Sequence, residues 1–136
     1  MNLKTIMIAE DDEEDVDLFK AVLTDLEFDL PLQVASNGVE LMKMLEGSAV
    51  LPDLIFLDLN MPFKNGMLCL QEIRTNQSWK NIKVVILSTS SHQDQIKAAY
   101  ETGADFYLTK SADYNDFKNS VAACMHKNWL KTENIR

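Results

Sequence analysis

Thr5-Ile6-Met7-Ile8-Ala9-Glu10-Asp11-Asp12-Glu13-Glu14-Asp15 sets a short apolar run directly against six consecutive acids. An apolar run of this length reads as a buried strand. Six acids in a row usually read as a solvated loop or a helix start. From Asp12 the chain turns helical. Val16, Phe19, Leu23 and Leu26 recur at helical spacing, and the acids crowd the first turn, where the helix dipole favours them. The unit is therefore a strand, an acidic rim and a helix, in that order.

The alternation continues to the end of the chain. Leu32-Gln33-Val34-Ala35 is the second strand, Ser36-Asn37-Gly38 a turn, and Val39 to Glu46 a helix closed by Gly47. Leu54-Ile55-Phe56-Leu57 is a third strand, apolar at every position, and Asn65-Gly66 opens a helix to about Asn76. Ile82 to Leu87 is the fourth strand, followed by the polar break Ser88-Thr89-Ser90-Ser91. A helix from about Gln93 to Thr102 ends at Gly103, a residue suited to a helix C-terminus. Phe106-Tyr107-Leu108 is the fifth strand, and the last helix runs from about Tyr114 to Leu130. Strands alternating with helices, and apolar on both faces, predict an α/β fold with a doubly wound five-stranded parallel sheet.

The chain has 136 residues, which suits one domain over 1–136 with a core of about 4–130. The longest unbroken apolar run, Val121–Met125, is far short of the ~20 residues that span a bilayer. Two cysteines make no disulfide framework, and with no signal peptide visible a cytoplasmic protein is expected. The net charge is −8 and uneven: residues 1–60 hold 14 acids and 3 bases, residues 61–136 hold 7 acids and 10 bases. An acid-rich half argues against nucleic acid as a partner, which calls for a basic face.

Ligands of doubly wound sheets bind beyond the carboxyl ends of the strands. That edge carries Glu10, Asp11 and Asp12 after the first strand, Asp58 and Asn60 after the third, Ser88 after the fourth and Lys110 after the fifth. Two carboxylates about 4 Å apart repel by roughly 4 kcal/mol at an effective dielectric of 20, so a cluster needs protons or a cation. Hard oxygen donors with no histidine nearby suit Mg²⁺. Lys110 and Ser88 are surplus to metal binding. They fit a phosphoryl group, with Asp58 at the centre of the sheet as the nucleophile.

With these residues in view, the sequence resembles the receiver domain of two-component response regulators. The resemblance covers residues 4 to about 130 and rests on Glu10-Asp11-Asp12, on Asp58 to Gly66, on Ser88, on Gly103-Ala104 and on Tyr107-Leu108-Thr109-Lys110. It implies the flavodoxin-like (βα)5 receiver fold. It implies Asp58 as phospho-acceptor, and Glu10, Asp11, Asp58 and the backbone carbonyl of Asn60 as Mg²⁺ ligands. Lys110 matches the phosphoryl-binding lysine, Ser88 the switch hydroxyl and Tyr107 the switch aromatic. The implied function is a phosphorylation-activated switch in a phosphorelay, catalysing only its own phosphorylation and dephosphorylation. The implied partners are a histidine kinase or histidine phosphotransfer protein, a downstream protein, and a second copy through the face of the fourth helix, fifth strand and fifth helix.

Two positions depart from the family pattern. The acidic pair begins with Glu10 where aspartate is usual, and Ser111 follows Lys110 where a cis-proline is usual. The loop Met61–Gly66 and the Lys110-Ser111 pair look most like single-domain receivers of the phytochrome-associated kind. Competing readings are an aspartate-nucleophile phosphatase, a flavodoxin-like electron carrier and a protein-interaction module that is never phosphorylated. Phosphatases of that type need a second aspartate two residues on, where Asn60 stands. An acidic first loop would repel the phosphate of a flavin.

Overall fold

The computed structural model describes residues 3–126. Ten elements alternate along them: β1 (Ile6–Ala9), α1 (Glu13–Asp25), β2 (Leu32–Ala35), α2 (Gly38–Gly47), β3 (Leu54–Asp58), α3 (Gly66–Thr75), β4 (Lys83–Ser88), α4 (Gln93–Thr102), β5 (Phe106–Thr109) and α5 (Tyr114–Met125). The strands form one parallel sheet in the order β2-β1-β3-β4-β5. The order reverses between β1 and β3, so the rim beyond those two strands is the crevice where such sheets bind ligands.

Every residue of β1, β3 and β4 is buried, whereas the outer strands β2 and β5 are partly exposed. Strand side chains alternate between faces, and here the alternation divides the core in two. Met7, Ala9, Ile55, Leu57, Val84 and Ile86 pack against α2, α3 and α4. Ile6, Ile8, Leu54, Phe56, Val85, Leu87 and Leu108 pack against α1 and α5. Phe19 of α1 meets Phe56 of β3 with ring centroids 4.7 Å apart.

Some boundaries differ from the sequence reading. Asp58 and Ser88 are the last residues of their strands rather than the first after them. A polar side chain does not end a ladder whose bonds are made by the backbone, and Asp58 pairs in register with Leu87, Ser88 with Thr109. α5 ends at Met125 with His126 as its C-cap, and the expected end at Leu130 lies outside the described residues. Gly103 closes α4 with a φ of 120°, a conformation that glycine adopts without steric cost.

Candidate functional site

The alternation that divides the core also sorts the rim. Glu10 continues the parity of Ile6 and Ile8, Asp58 that of Leu54 and Phe56, and Lys110 that of Phe106 and Leu108. All three therefore emerge on the α1/α5 side. Ser88 and Tyr107 belong to the other parity and face the side of α3 and α4.

The six acids are divided among separate tasks. Asp12 is the N-cap of α1, and its Oδ1 accepts from the backbone N–H groups of Glu14 at 2.9 Å and Asp15 at 3.2 Å. Glu10 is only 2% exposed and Asp58 only 4% exposed, while Asp11 is open to solvent. Carboxylate oxygens of Glu10, Asp11 and Asp58 all lie within 4.8 Å of one another. Lys110 reaches across from the end of β5. Its Nζ donates to Glu10 Oε1 at 2.6 Å, to Asp15 Oδ2 at 3.1 Å and to Asp58 Oδ2 at 3.4 Å.

One ammonium thus faces four carboxylates, counting Asp11, and cannot balance them. The electrostatic consequence falls on Glu10. Burial, then its hydrogen bond with Asp58, pushes its carboxyl up to about 8 against the partial relief given by Lys110. Burial pulls the Lys110 ammonium down. The hydrogen bond to Glu10 and the charges of Asp58 and Glu10 outweigh that, and it is held above the ordinary lysine value. The site therefore favours a cationic lysine and a protonated Glu10. A hard divalent cation fits this set: three carboxylates, no nitrogen or sulfur donor, and excess negative charge in a largely dehydrated place.

Local backbone geometry supports the site from below. Asp58 Oδ1 accepts from the N–H of Asn60 at 3.1 Å, which turns the chain directly after β3. The N–H of Gly66 donates to Leu59 O at 3.0 Å, and a methyl group at Gly66 would collide with the backbone carbonyl of Asp58. Glycine is needed there for close approach. The side chain of Ser88 is fully buried, and its Oγ accepts from the N–H of Ser90 at 3.1 Å. The Tyr107 hydroxyl donates to Ser90 O at 2.8 Å. Ser88 and Tyr107 therefore meet at one residue of the loop between β4 and α4.

The structure brings together the sequence-derived residues Glu10, Asp11, Asp58 and Lys110, with Asn60 bonded to Asp58 through its N–H. Lys110 pairs with both Glu10 and Asp58, and Glu10 is the nearer of the two. Asp15 was missed. Its signal was its place in the acidic run, on the first turn of α1. The Lys110–Ser111 peptide is trans, as are all peptides among the described residues, so the chain leaves β5 by a route that needs no cis bond.

Comparison with known proteins gives the family and the fold. The family described as response regulator receiver domain matches residues 6–122. The chain is 36% identical over 134 residues to response regulator Rcp1 of Synechocystis, covering 95% of this chain and 90% of that protein. Its fold is similar to that of the phosphorylated cyanobacterial phytochrome response regulator RcpA, with a TM-score of 0.83, 33% identity and 96% of each chain covered. It is also similar to the Mn²⁺-bound form of Rcp1, with a TM-score of 0.81, 35% identity and 95% and 96% of the two chains covered. The chain belongs to the response regulator receiver domain family, whose standard role is that of a phosphorylation-dependent switch.

Proposed function

We propose that Asp58 is the phospho-acceptor of this switch, with Mg²⁺ held by Glu10, Asp11, Asp58 and the backbone carbonyl of Asn60. The observation that carries this reading is one placement. Asp58 ends the central strand, nearly buried, between two further carboxylates and a lysine. A carboxylate oxygen of Asp58 attacks the phosphorus of a phosphohistidine, the P–N bond breaks, and the histidine leaves with the electron pair. Lys110 lies within reach of the phosphoryl oxygens and stabilises their charge. The cation supplies the remaining neutralisation when bound.

The donors are a histidine kinase or histidine phosphotransfer protein, and the only chemistry is the chain's own phosphorylation and dephosphorylation. Output passes through changed protein contacts. The face of α4, β5 and α5 carries the exposed Tyr100, whose hydroxyl accepts from the N–H of Tyr107 at 3.0 Å. That link connects the switch residue to the surface and supports a homodimer formed there. No helix among the described residues is long and apolar enough to cross a membrane, and we place the protein in the cytoplasm. Incubation with Mg²⁺ and acetyl phosphate, followed by intact mass, tests the reading. One added phosphate, lost in Asp58→Asn, is expected. Equal labelling of both proteins would overturn it.

A further inference from the structure

Three carboxylates share the ammonium of Lys110, and one of them lies outside the metal cluster. Asp15 stands on the first turn of α1, and its Oδ2 is 3.1 Å from Lys110 Nζ, nearer than Asp58 at 3.4 Å. Its two cluster partners, Glu10 and Asp58, are nearly buried, but the Asp15 side chain is 39% exposed. It also differs in what a cation would do to it. A divalent ion on Glu10, Asp11 and Asp58 takes up charge that otherwise holds the lysine. Asp15 is not among those oxygens, so its attraction for Lys110 remains when the ion is bound.

We propose that Asp15 is a positioning residue that competes with the phosphoryl group for Lys110. This rests on the reading of Asp58 as phospho-acceptor. A phosphoryl oxygen on Asp58 draws the ammonium inward, and Asp15 draws it towards α1. The position of the lysine is the balance of the two. Asp15 therefore weakens the hold on the phosphoryl group and sets how far the end of β5 responds to it. Asp12 cannot take this part, because its carboxylate is engaged with the N-terminus of α1.

The test is titration of the Mg²⁺-loaded protein with beryllofluoride, which mimics the phosphoryl group. Asp15→Asn removes the competing charge while keeping size. Its affinity should rise about twofold to fivefold, the scale of one partly exposed ion pair. Asp15→Glu should restore affinity towards wild type. In a Lys110→Gln background, Asp15→Asn should change nothing, because the competition runs through the lysine. Unchanged affinity in Asp15→Asn would overturn the proposal. Equal tightening in the Lys110→Gln background would also overturn it, since Asp15 would then act through its charge alone. A second readout needs no ligand: in chelator, the ¹⁵N signal of the Lys110 ammonium should move in Asp15→Asn, and an unmoved signal would remove the contact. Failure of wild type itself to bind beryllofluoride would instead overturn the assignment of Asp58.

Discussion

Lys110 and Glu10, 100 residues apart in the chain, are joined by a 2.6 Å ion pair across the rim of the sheet. β5 and β1 are not neighbours: β3 and β4 lie between them. The bond closes over Asp58 at the end of β3, whose own distance to the ammonium is 3.4 Å. The lysine is thus held beside the Asp58 carboxylate and not consumed by it.

Loss of this lysine should affect signalling more than labelling. Lys110→Ala leaves Glu10, Asp15 and Asp58 without their shared cation, so the metal-free protein should melt lower than wild type. With Mg²⁺ present, phospho-Asp58 should still form, but its effect should not reach β5. Mass spectrometry reads the first and a partner-binding or dimerisation assay reads the second. A mutant that responds like wild type in the second assay would refute the role.

Stability of the metal-free protein should fall as pH rises towards 8. Glu10 has a folded value of about 8 against an ordinary 4.5, because it is buried beside Asp58. A raised carboxyl means that the folded state binds more protons than the unfolded state between these values. Its contribution is fully present below about 4.5 and is lost as pH passes through 8. Mg²⁺ displaces that proton, so its affinity should increase over the same range. At 100 times its Kd the ion should add about 2.7 kcal/mol. Melting curves at pH 6 and pH 8, each with chelator or Mg²⁺, check both statements.

Much of this arrangement was legible in the chain because it follows from strand ends. Apolar runs locate β1, β3 and β4, and a polar residue straight after an apolar run must lie on the rim. Glu10, Asp58 and Ser88 are found that way, and Lys110 follows one residue later, after Thr109. Asp15 was not, because helical position alone does not say which neighbouring strand end lies opposite it. The preference of Lys110 for Glu10 depends on differences of less than one ångström, which no spacing encodes. Phe63 shows another limit. It is exposed in the loop after β3 with a φ of 68°, a region that bulky side chains avoid, so its residue type points away from its conformation.

Gly66→Ala should slow phosphorylation without touching any charged group. The new methyl would press on the carbonyl of Asp58 and the Cα of Leu59. Neither can move without shifting the end of β3. Forced overpacking of this kind costs about 1–3 kcal/mol. The melting temperature should drop, and acetyl phosphate labelling should slow in the fraction that remains folded. Gly47→Ala is the control, since nothing lies within 4 Å of a methyl group there. Equal labelling rates for the two variants would show that the loop after β3 does not need the close approach at Gly66.

Ser88→Ala should uncouple phosphorylation from dimerisation. The hydroxyl of Ser88 is buried and holds the N–H of Ser90, while the carbonyl of Ser90 holds the hydroxyl of Tyr107. A phosphoryl oxygen on Asp58 offers Ser88 a charge-assisted hydrogen bond, stronger than a neutral one. If Ser88 turns to it, the Ser90 N–H loses its acceptor and the loop between β4 and α4 rearranges. Tyr107 then loses its partner and can turn away, taking with it the link between its N–H and Tyr100 on α4. The change is a bias between two packings of one face rather than a new fold. Alanine at 88 removes the donor that starts the sequence but leaves Asp58 and the carboxylate cluster intact. Sedimentation with beryllofluoride should move wild type towards dimer and move Ser88→Ala less. An equal shift in both would take Ser88 out of the relay, and no shift in either would take away the dimer.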